Sequence, residues 1–219
     1  MSTVRAVPFF DRLCSVSHAP RRGPRRSEQS RQAILDGALA LCREEGYARL
    51  SIEGIASRAG VGKHTIYRWW PSKGAVLIEA LDREMTMSAA RLPDTGDIAA
   101  DMRGIIAEVA SVQARPEFGI PLAAVLAEAQ LDPETGPALH ERLLQPRRAP
   151  ILARLRRAQE RGQLAPSLDV EAVVEMLFGA LYHRLLLRSG PLDAEYSRVV
   201  FEVLFGGAAM PLPAPARGT

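Results

Sequence analysis

Residues 60–73 read GVGKHTIYRWWPSK. This short, aromatic and basic stretch follows Ile52–Ala59, where apolar residues recur at helical spacing. Ala56, Gly60 and Ile66 take relative positions 5, 9 and 15 of a helix-turn-helix. At these positions a small side chain lets two helices approach, a glycine makes the turn, and an aliphatic residue anchors the second helix. The stretch therefore predicts a helix-turn-helix whose second helix fits the major groove of DNA.

Helical periodicity also precedes this motif. Residues 30–45 carry one apolar face and predict a first helix that ends at Gly46. Ser51 is a residue type that caps helix starts, so we expect it to cap the second helix.

A longer helix is predicted after the motif. It begins at Ser72, directly after Pro71, and continues to about Arg91, before residues 93–96 break the chain. This fourth helix bridges the boundary that we predict between a small N-terminal domain, residues 30–81, and a second domain, residues 82–206.

Charge divides the chain in the same place. Residues 1–80 contain 13 Lys and Arg against 7 Asp and Glu, whereas residues 81–219 contain 15 against 18. A basic first third indicates an anionic partner such as nucleic acid. Residues 1–29 are predicted to be a disordered basic arm. Three interpretations stay open for it: a segment that contacts DNA, a solubilising tail, or the product of a start codon placed too far upstream. Residues 207–219 are predicted to be a disordered tail.

The C-terminal part shows only helical periods, so the predicted fold class is all-α. From Val170 to Leu187 apolar residues occupy every side of the helix, and the last helix has one apolar stripe. Helices of this kind need burial against more than one neighbour. We predict a two-fold dimer that joins them in a four-helix bundle, the alternative being a monomer that buries both faces. The predicted interface consists of Val173, Leu177, Gly179, Leu181, Tyr196, Val199, Val200 and Val203.

Several functional classes are disfavoured. The two cysteines and four histidines show no metal-ligand spacing, and no nucleophile motif or phosphate loop is present, so we predict no metal, no cofactor and no catalytic residue. The apolar N-terminal stretch is too short for a signal peptide, and the most apolar helix carries three charges. These features predict a cytoplasmic protein without a membrane partner.

The residues around the motif resemble the DNA-binding domain of TetR-type transcriptional regulators. The resemblance covers residues 30–81, and the segment from Gly179 to Leu186 resembles one subgroup of their C-terminal domains less specifically. The family's signature is present as Ser51, Ile55-Ala56, Ala59-Gly60-Val61, Thr65-Ile66-Tyr67, Trp70 and Ser72-Lys73.

The resemblance implies a role for each matching position. Ser51, Tyr67 and Lys73 would bind phosphates, and Trp69 would pack on the sugar-phosphate backbone. The residues expected to face the groove are Lys63, His64, Thr65 and Arg68, with Lys63 or Arg68 pairing with guanine. Lys73 also lies in the first turn of a helix, where the helix dipole disfavours a cation, which makes sense beside a phosphate.

The sequence departs from the family pattern at His64, Gly54 and Gly74. His64 stands where a small residue or proline is common in the family. The family's base preference at this position therefore cannot be transferred to this sequence. Gly54 occupies a helix interior, and Gly74 replaces an acidic residue that is frequent after Ser-Lys.

The resemblance also implies a small-molecule effector that shifts a dimer away from its palindromic operator. The candidate pocket residues are Met102, Phe118, Met176, Phe178 and Tyr182, a mainly apolar set that favours a hydrophobic effector. The prediction is a ligand-responsive repressor. The alternatives are an activator of the same fold or a helical ligand-binding module that has lost DNA recognition.

Overall fold

The computed structural model describes the backbone of residues 24–88 and 92–206, and these residues fold entirely into helices, turns and loops. The helices are α1 (Pro24–Glu45), α2 (Ile52–Ala59), α3 (Lys63–Tyr67), α4 (Lys73–Ser88), α5 (Ile98–Ala114), α6 (Pro116–Glu128), α7 (Thr135–Leu139), α8 (Gln145–Glu160), α9 (Val170–Leu187) and α10 (Ala194–Phe205). A π-helical turn, His140–Leu144, joins α7 to α8. The all-α prediction is confirmed. The tail predicted for residues 207–219 and most of the predicted arm lie outside the described residues.

The start of α1 differs from the prediction. The helix begins at Pro24, so it includes residues 24–29, which were assigned to the disordered arm. Proline suits the first turn of a helix, where its missing N–H would have no intrahelical partner. The residues that follow it are polar but include no helix breaker. This first part of the helix carries no apolar periodicity, so the sequence pattern does not indicate it.

The N-terminal helices pack around a buried aromatic and aliphatic core. Ile34, Ile55, Ile66, Trp70 and Leu77 are each at most 1% exposed. The predicted cap is present, because the Ser51 Oγ accepts a hydrogen bond from the N–H of Gly54 at 3.0 Å. Gly60 ends α2 with a φ of 64°, in the left-handed region that glycine adopts without strain. These contacts fix α3 against α2.

This core continues into the C-terminal helices. Val112, Phe118, Leu122, Val125 and Leu143 belong to the same buried cluster as the residues of α1 and α4. A second cluster joins α5, α8, α9 and α10. The first core therefore crosses the boundary predicted at residue 81, and α4 lies inside it.

The helix is irregular near Pro146 and Pro150. A π-helical turn directly precedes α8, which contains Pro146 in its first turn and Pro150 further inside. Proline lacks an N–H, so it cannot make the backbone hydrogen bond of a regular helix. None of the helices in the described ranges is long and apolar enough to cross a membrane.

A buried ion pair joins α5 to α8, and Thr95 of the α4–α5 loop bonds to it. Arg154 and Asp101 are both fully buried, and the guanidinium donates to Asp101 Oδ2 at 2.9 and 2.6 Å. The Thr95 hydroxyl donates to Asp101 Oδ1 at 2.7 Å. Burial disfavours the ionised carboxylate, but the hydrogen bonds from Thr95 and Arg154 outweigh it and hold the pKa of Asp101 below its ordinary value. Asp101 is therefore ionised at neutral pH.

Removal of one partner should strongly destabilise the fold. Arg154→Ala leaves the Asp101 carboxylate buried without its counter-ion, and such losses cost about 3–5 kcal/mol of unfolding free energy. Chemical denaturation of the full chain measures the change. Arg161→Ala is the control, because Arg161 pairs with Asp94 at the surface and should unfold like the wild type. Equal stability of the two variants would contradict the assigned role of the buried pair.

Candidate nucleic-acid interface and internal cavity

The short helix α3 presents a basic and aromatic surface. Lys63, His64, Tyr67 and Arg68 are exposed on or next to it, and Tyr67 retains 55% of its surface. Thr65 does not share this face. It is 3% exposed and lies beside the buried Ile66, so the expectation that it faces the groove is corrected. A helix of five residues makes little more than one turn, and here two adjacent positions are turned inward.

Lys63 makes an exposed ion pair. Its Nζ lies 2.9 Å from Glu53 Oε1, and both side chains are more than half exposed. The hydrogen bond raises the pKa of Lys63 and lowers the pKa of Glu53. Exposed pairs are weak because water screens both charges. Lys63 can therefore exchange Glu53 for a phosphate or a base edge at little cost.

Stacked side chains support the C-terminal end of α3. The Arg68 guanidinium lies 4.9 Å from the ring centroid of Trp69, and the Trp69 ring meets Trp70 edge to face at 5.3 Å. Trp70 is 1% exposed and anchors the core, and its indole N–H donates to Glu79 of α4 at 2.9 Å. The Arg68 guanidinium is therefore held against Trp69, which in turn packs on the buried Trp70.

Lys73 has an internal role that the sequence did not reveal. Its ammonium donates to the backbone carbonyls of Tyr47 and Leu50 at 3.0 and 3.1 Å. It also lies 4.2 Å from the ring centroid of Tyr47. The two carbonyls stabilise the positive charge in the first turn of α4. A phosphate was expected to have this role. The contact joins α4 to the turn before α2, and a third ammonium N–H remains as a donor.

Gly74 lies where the N-terminal and C-terminal helices meet. A Cβ at this position would be 3.2 Å from the Thr135 hydroxyl of α7 and 3.4 Å from the Tyr47 hydroxyl. A larger side chain would push α7 away from α4. The close approach of the two helices explains the departure from the acidic residue expected there.

A cavity of about 800 Å³ lies between α4, α5, α6, α8 and α9. Of the five predicted pocket residues, Phe118, Phe178 and Tyr182 line it. Met102 does not, because it is fully buried in the second core. Met176 lies on the outer side of α9 and is 56% exposed. Burial raises the pKa of the Tyr182 phenol to about 12, so the phenol is neutral at physiological pH.

Arg147 joins the cavity wall to α4. Its guanidinium lies 3.1 Å from Asp82 Oδ1, contacts the sulfur of Met85, and donates to the carbonyl of Leu143 in the π-helical turn at 2.6 Å. Burial lowers the pKa of Arg147, and Asp82 opposes this shift. Sequence reasoning missed Arg147, since no pattern in this arginine-rich segment indicates which arginine pairs with Asp82 of α4.

Half of the predicted dimer residues face inward. Val173, Leu177, Leu181 and Val200 are each at most 6% exposed and pack in the second core, so they are corrected to core residues. Gly179, Val199 and Val203 are exposed, and Val203 retains 76% of its surface.

Tyr196 is half-buried and tied to its own chain. Its hydroxyl donates to the carbonyl of Ala180 at 3.0 Å. The exposed apolar surface of α9 and α10, here called the outer face, consists of Met176, Gly179, Leu186, Leu187, Val199 and Val203.

Known families match both parts of the chain. Residues 34–80 match the family described as "Bacterial regulatory proteins, tetR family", and residues 92–204 match "Tetracyclin repressor-like, C-terminal domain". The crystal structure of the TetR family transcription regulator SCO0332 is 35% identical with a TM-score of 0.68, covering 84% of this chain and all of that one.

Two full-length relatives agree with these matches. The HTH-type transcriptional regulator YdeS of Bacillus subtilis is 30% identical over 85% of this chain and 93% of its own length. The DNA-binding transcriptional repressor TetR of Mycobacteroides abscessus is 30% identical over 82% and 94%. With the helix-turn-helix surface and the helical C-terminal part, these matches show that the chain belongs to the TetR family of bacterial helix-turn-helix transcriptional regulators.

Proposed function

We propose that this regulator is a ligand-responsive repressor that binds a palindromic operator as a homodimer and is released by a small hydrophobic effector. The cavity carries the proposal, because Asp82 and Met85 of α4 form part of its wall. The same helix holds the Trp70 indole through Glu79. A molecule that enters the cavity therefore meets the helix that positions α3.

Exposed donors support the DNA-binding role. Lys63, His64 and Arg68 would read base edges in the major groove. Tyr67, the hydroxyl of Ser51 and the third N–H of Lys73 would hold phosphates and set the register. Trp69 is half-buried, and its remaining surface would lie against the sugar-phosphate backbone.

The outer face supports the homodimer. An exposed set of apolar side chains on two neighbouring helices is unusual for a monomer, and a second copy would bury it. A two-fold axis would bring α9 and α10 of both copies into a four-helix bundle. A Cβ at Gly179 would meet nothing within 4 Å in its own chain, so the fold of one chain does not require glycine there.

The first core would couple ligand binding in the cavity to the position of α3. The cavity residues Phe118, Leu122 and Leu143 belong to the cluster that includes Leu77 and Leu81 of α4. Close-packed interiors transmit displacement because no free volume absorbs it. An effector would shift α4 and thereby the spacing of the two α3 helices in the dimer, which must match the half-sites of the operator.

Substitution of Arg68 tests the DNA-binding surface. Arg68→Ala should lower affinity for operator DNA by about 5- to 150-fold, because one bidentate arginine–guanine contact contributes about 1–3 kcal/mol. Fluorescence anisotropy on the promoter next to the protein's own gene, repeated over a salt series, measures the loss. Arg161→Ala, at the end of α8, is the control and should bind like the wild type.

Site-specific binding that survives Arg68→Ala would contradict the role of Arg68. A complete lack of site-specific binding by the wild type would favour the module that has lost DNA recognition. A reporter at the bound promoter that loses expression when the regulator is deleted would identify the activator alternative.

Substitution on the outer face tests the dimer. Val203→Glu would bury a carboxylate against its symmetry-related copy, so it should shift the protein to monomers in sedimentation equilibrium. Leu131→Glu is the matched control, because Leu131 is 83% exposed but lies in the turn after α6. A Val203→Glu protein that remains as dimeric as the Leu131→Glu protein would place the dimer interface elsewhere.

A further inference from the structure

Tyr182 places a phenol in the wall of the cavity. It lies one helical turn after Phe178 on α9, and the centroids of the two rings are 5.8 Å apart. Both residues line the cavity, and Tyr182 also packs against both buried clusters. Because these contacts hold the ring, its hydroxyl has a defined position at the cavity.

The Tyr182 hydroxyl is open to a ligand. It makes no hydrogen bond within the described part of the chain. It is also not sealed in the packing, because the enclosed side-chain atoms without a partner in the described ranges are Gln113 Oε1, Arg148 Nε, Arg154 Nη1 and Gln163 Oε1. An accessible hydroxyl bonds to water, and a ligand that displaces this water loses affinity unless it replaces the bond.

Nearby positive charge determines which ligand atom suits the hydroxyl. The charges of Arg147 and Arg148 oppose the rise that burial causes in the pKa of Tyr182. Positive charge attracts a ligand atom that carries partial negative charge, which is a hydrogen-bond acceptor. The phenol is neutral at physiological pH, so it keeps the proton that it would donate to such an acceptor.

The charges beside Tyr182 favour a neutral acceptor over an ion. Arg147 already pairs with Asp82 at 3.1 Å, and Arg148 pairs with Glu175 at 3.2 Å. A ligand carboxylate would have to displace one of these partners, and a ligand ammonium group would be repelled by both arginines. A charge that enters the cavity without a counter-ion is strongly unfavourable, whereas a carbonyl oxygen needs no counter-ion.

We infer that the cavity binds an uncharged, mainly apolar molecule with a carbonyl oxygen, such as a ketone, an ester or an amide, and that the Tyr182 hydroxyl donates to this oxygen. The inference rests on the proposed function, in which the cavity is the effector site. Phe118, Leu122, Leu143 and Phe178 line the cavity and contact the apolar body of the ligand. Tyr182 makes the polar contact that selects a carbonyl compound over a hydrocarbon of the same shape.

A pair of isosteric probes isolates the carbonyl oxygen. The ketone 2-decanone and the alkene 2-methyl-1-decene differ only in that a CH₂ group replaces the oxygen. Their affinities for the full-length wild type differ also because water solvates the ketone better. The informative quantity is therefore the change that each probe shows when Tyr182 is substituted, as in a double-mutant cycle.

The variant Tyr182→Phe removes only the hydroxyl. It should weaken binding of 2-decanone about 3- to 10-fold and leave binding of the alkene unchanged, as measured by displacement of a neutral fluorescent probe. Tyr196→Phe is the matched control and should bind both probes like the wild type. The Tyr196 hydroxyl bonds to the carbonyl of Ala180, and Tyr196 does not line the cavity.

Infrared spectroscopy detects the hydrogen bond without relying on affinity. The stretching band of carbonyl-labelled 2-decanone should lie at lower frequency in the wild type than in Tyr182→Phe, because a hydrogen bond weakens the C=O bond. Decanoate and decylammonium test the charge of the ligand at neutral pH. Each should bind the wild type at least about ten-fold more weakly than 2-decanone.

Four results would overturn the inference: equal effects of Tyr182→Phe on ketone and alkene, a carbonyl band that is the same in both proteins, a charged probe that binds as tightly as 2-decanone, or no binding by any probe. An operator titration with saturating 2-decanone tests the proposed function separately. Tyr182-dependent binding of 2-decanone without a change in operator affinity would contradict the effector role and leave the ligand class intact. Release of the operator by a charged probe but not by 2-decanone would do the reverse.

Discussion

The apolar contact between α4 and the helices of the cavity is the constraint on which the rest of the structure depends. Leu77 and Leu81 of α4 share one buried cluster with Phe118, Leu122 and Leu143. Without this contact the helix-turn-helix would be a small, marginal domain on a linker. With it, one packed unit contains Ile66 of α3, the neighbouring Trp69 and Trp70, and part of the cavity wall.

Polar contacts fix the geometry of this shared core. Lys73 connects the start of α4 to the turn before α2, and Arg147 connects a point further along α4 to the π-helical turn. Both side chains donate hydrogen bonds to backbone carbonyls of another segment. Each therefore fixes the position of one segment relative to the other. A π-helical turn with a partly buried arginine beside a cavity is a typical place for function, because π-helical turns are rare and often mark functional sites.

Local sequence patterns predicted the helices well. They predicted less well which side chains of a helix face inward. The spacing of Ala56, Gly60 and Ile66 identified the helix-turn-helix because turn and contact residues act over a few positions. The same spacing did not show that Thr65 is buried, because a five-residue helix has no clear periodicity. In α9, which is apolar on all sides, sequence alone did not separate the inward Leu177 and Leu181 from the outward Met176 and Gly179.

The cavity itself was the least predictable feature. Phe118, Phe178 and Tyr182 were expected there as aromatic side chains, and they line it. Met102 was expected for the same chemical reason and is ordinary core. Arg147 pairs with Asp82 beside the cavity across 65 residues of sequence, and no local pattern reports such a contact. Packing between distant helices decides which residue faces a void.

The central claim is that the cavity controls DNA binding. Its most direct test is the operator affinity of a variant in which a substitution fills the cavity. Val109 lines the cavity, and Val109→Trp places extra volume in it without any ligand. The coupling described here predicts that this variant remains a folded dimer but binds the operator at least about ten-fold more weakly, whereas Leu131→Trp, in the exposed turn after α6, binds like the wild type. A folded Val109→Trp dimer with wild-type operator affinity would contradict the claim that the cavity controls DNA binding through α4.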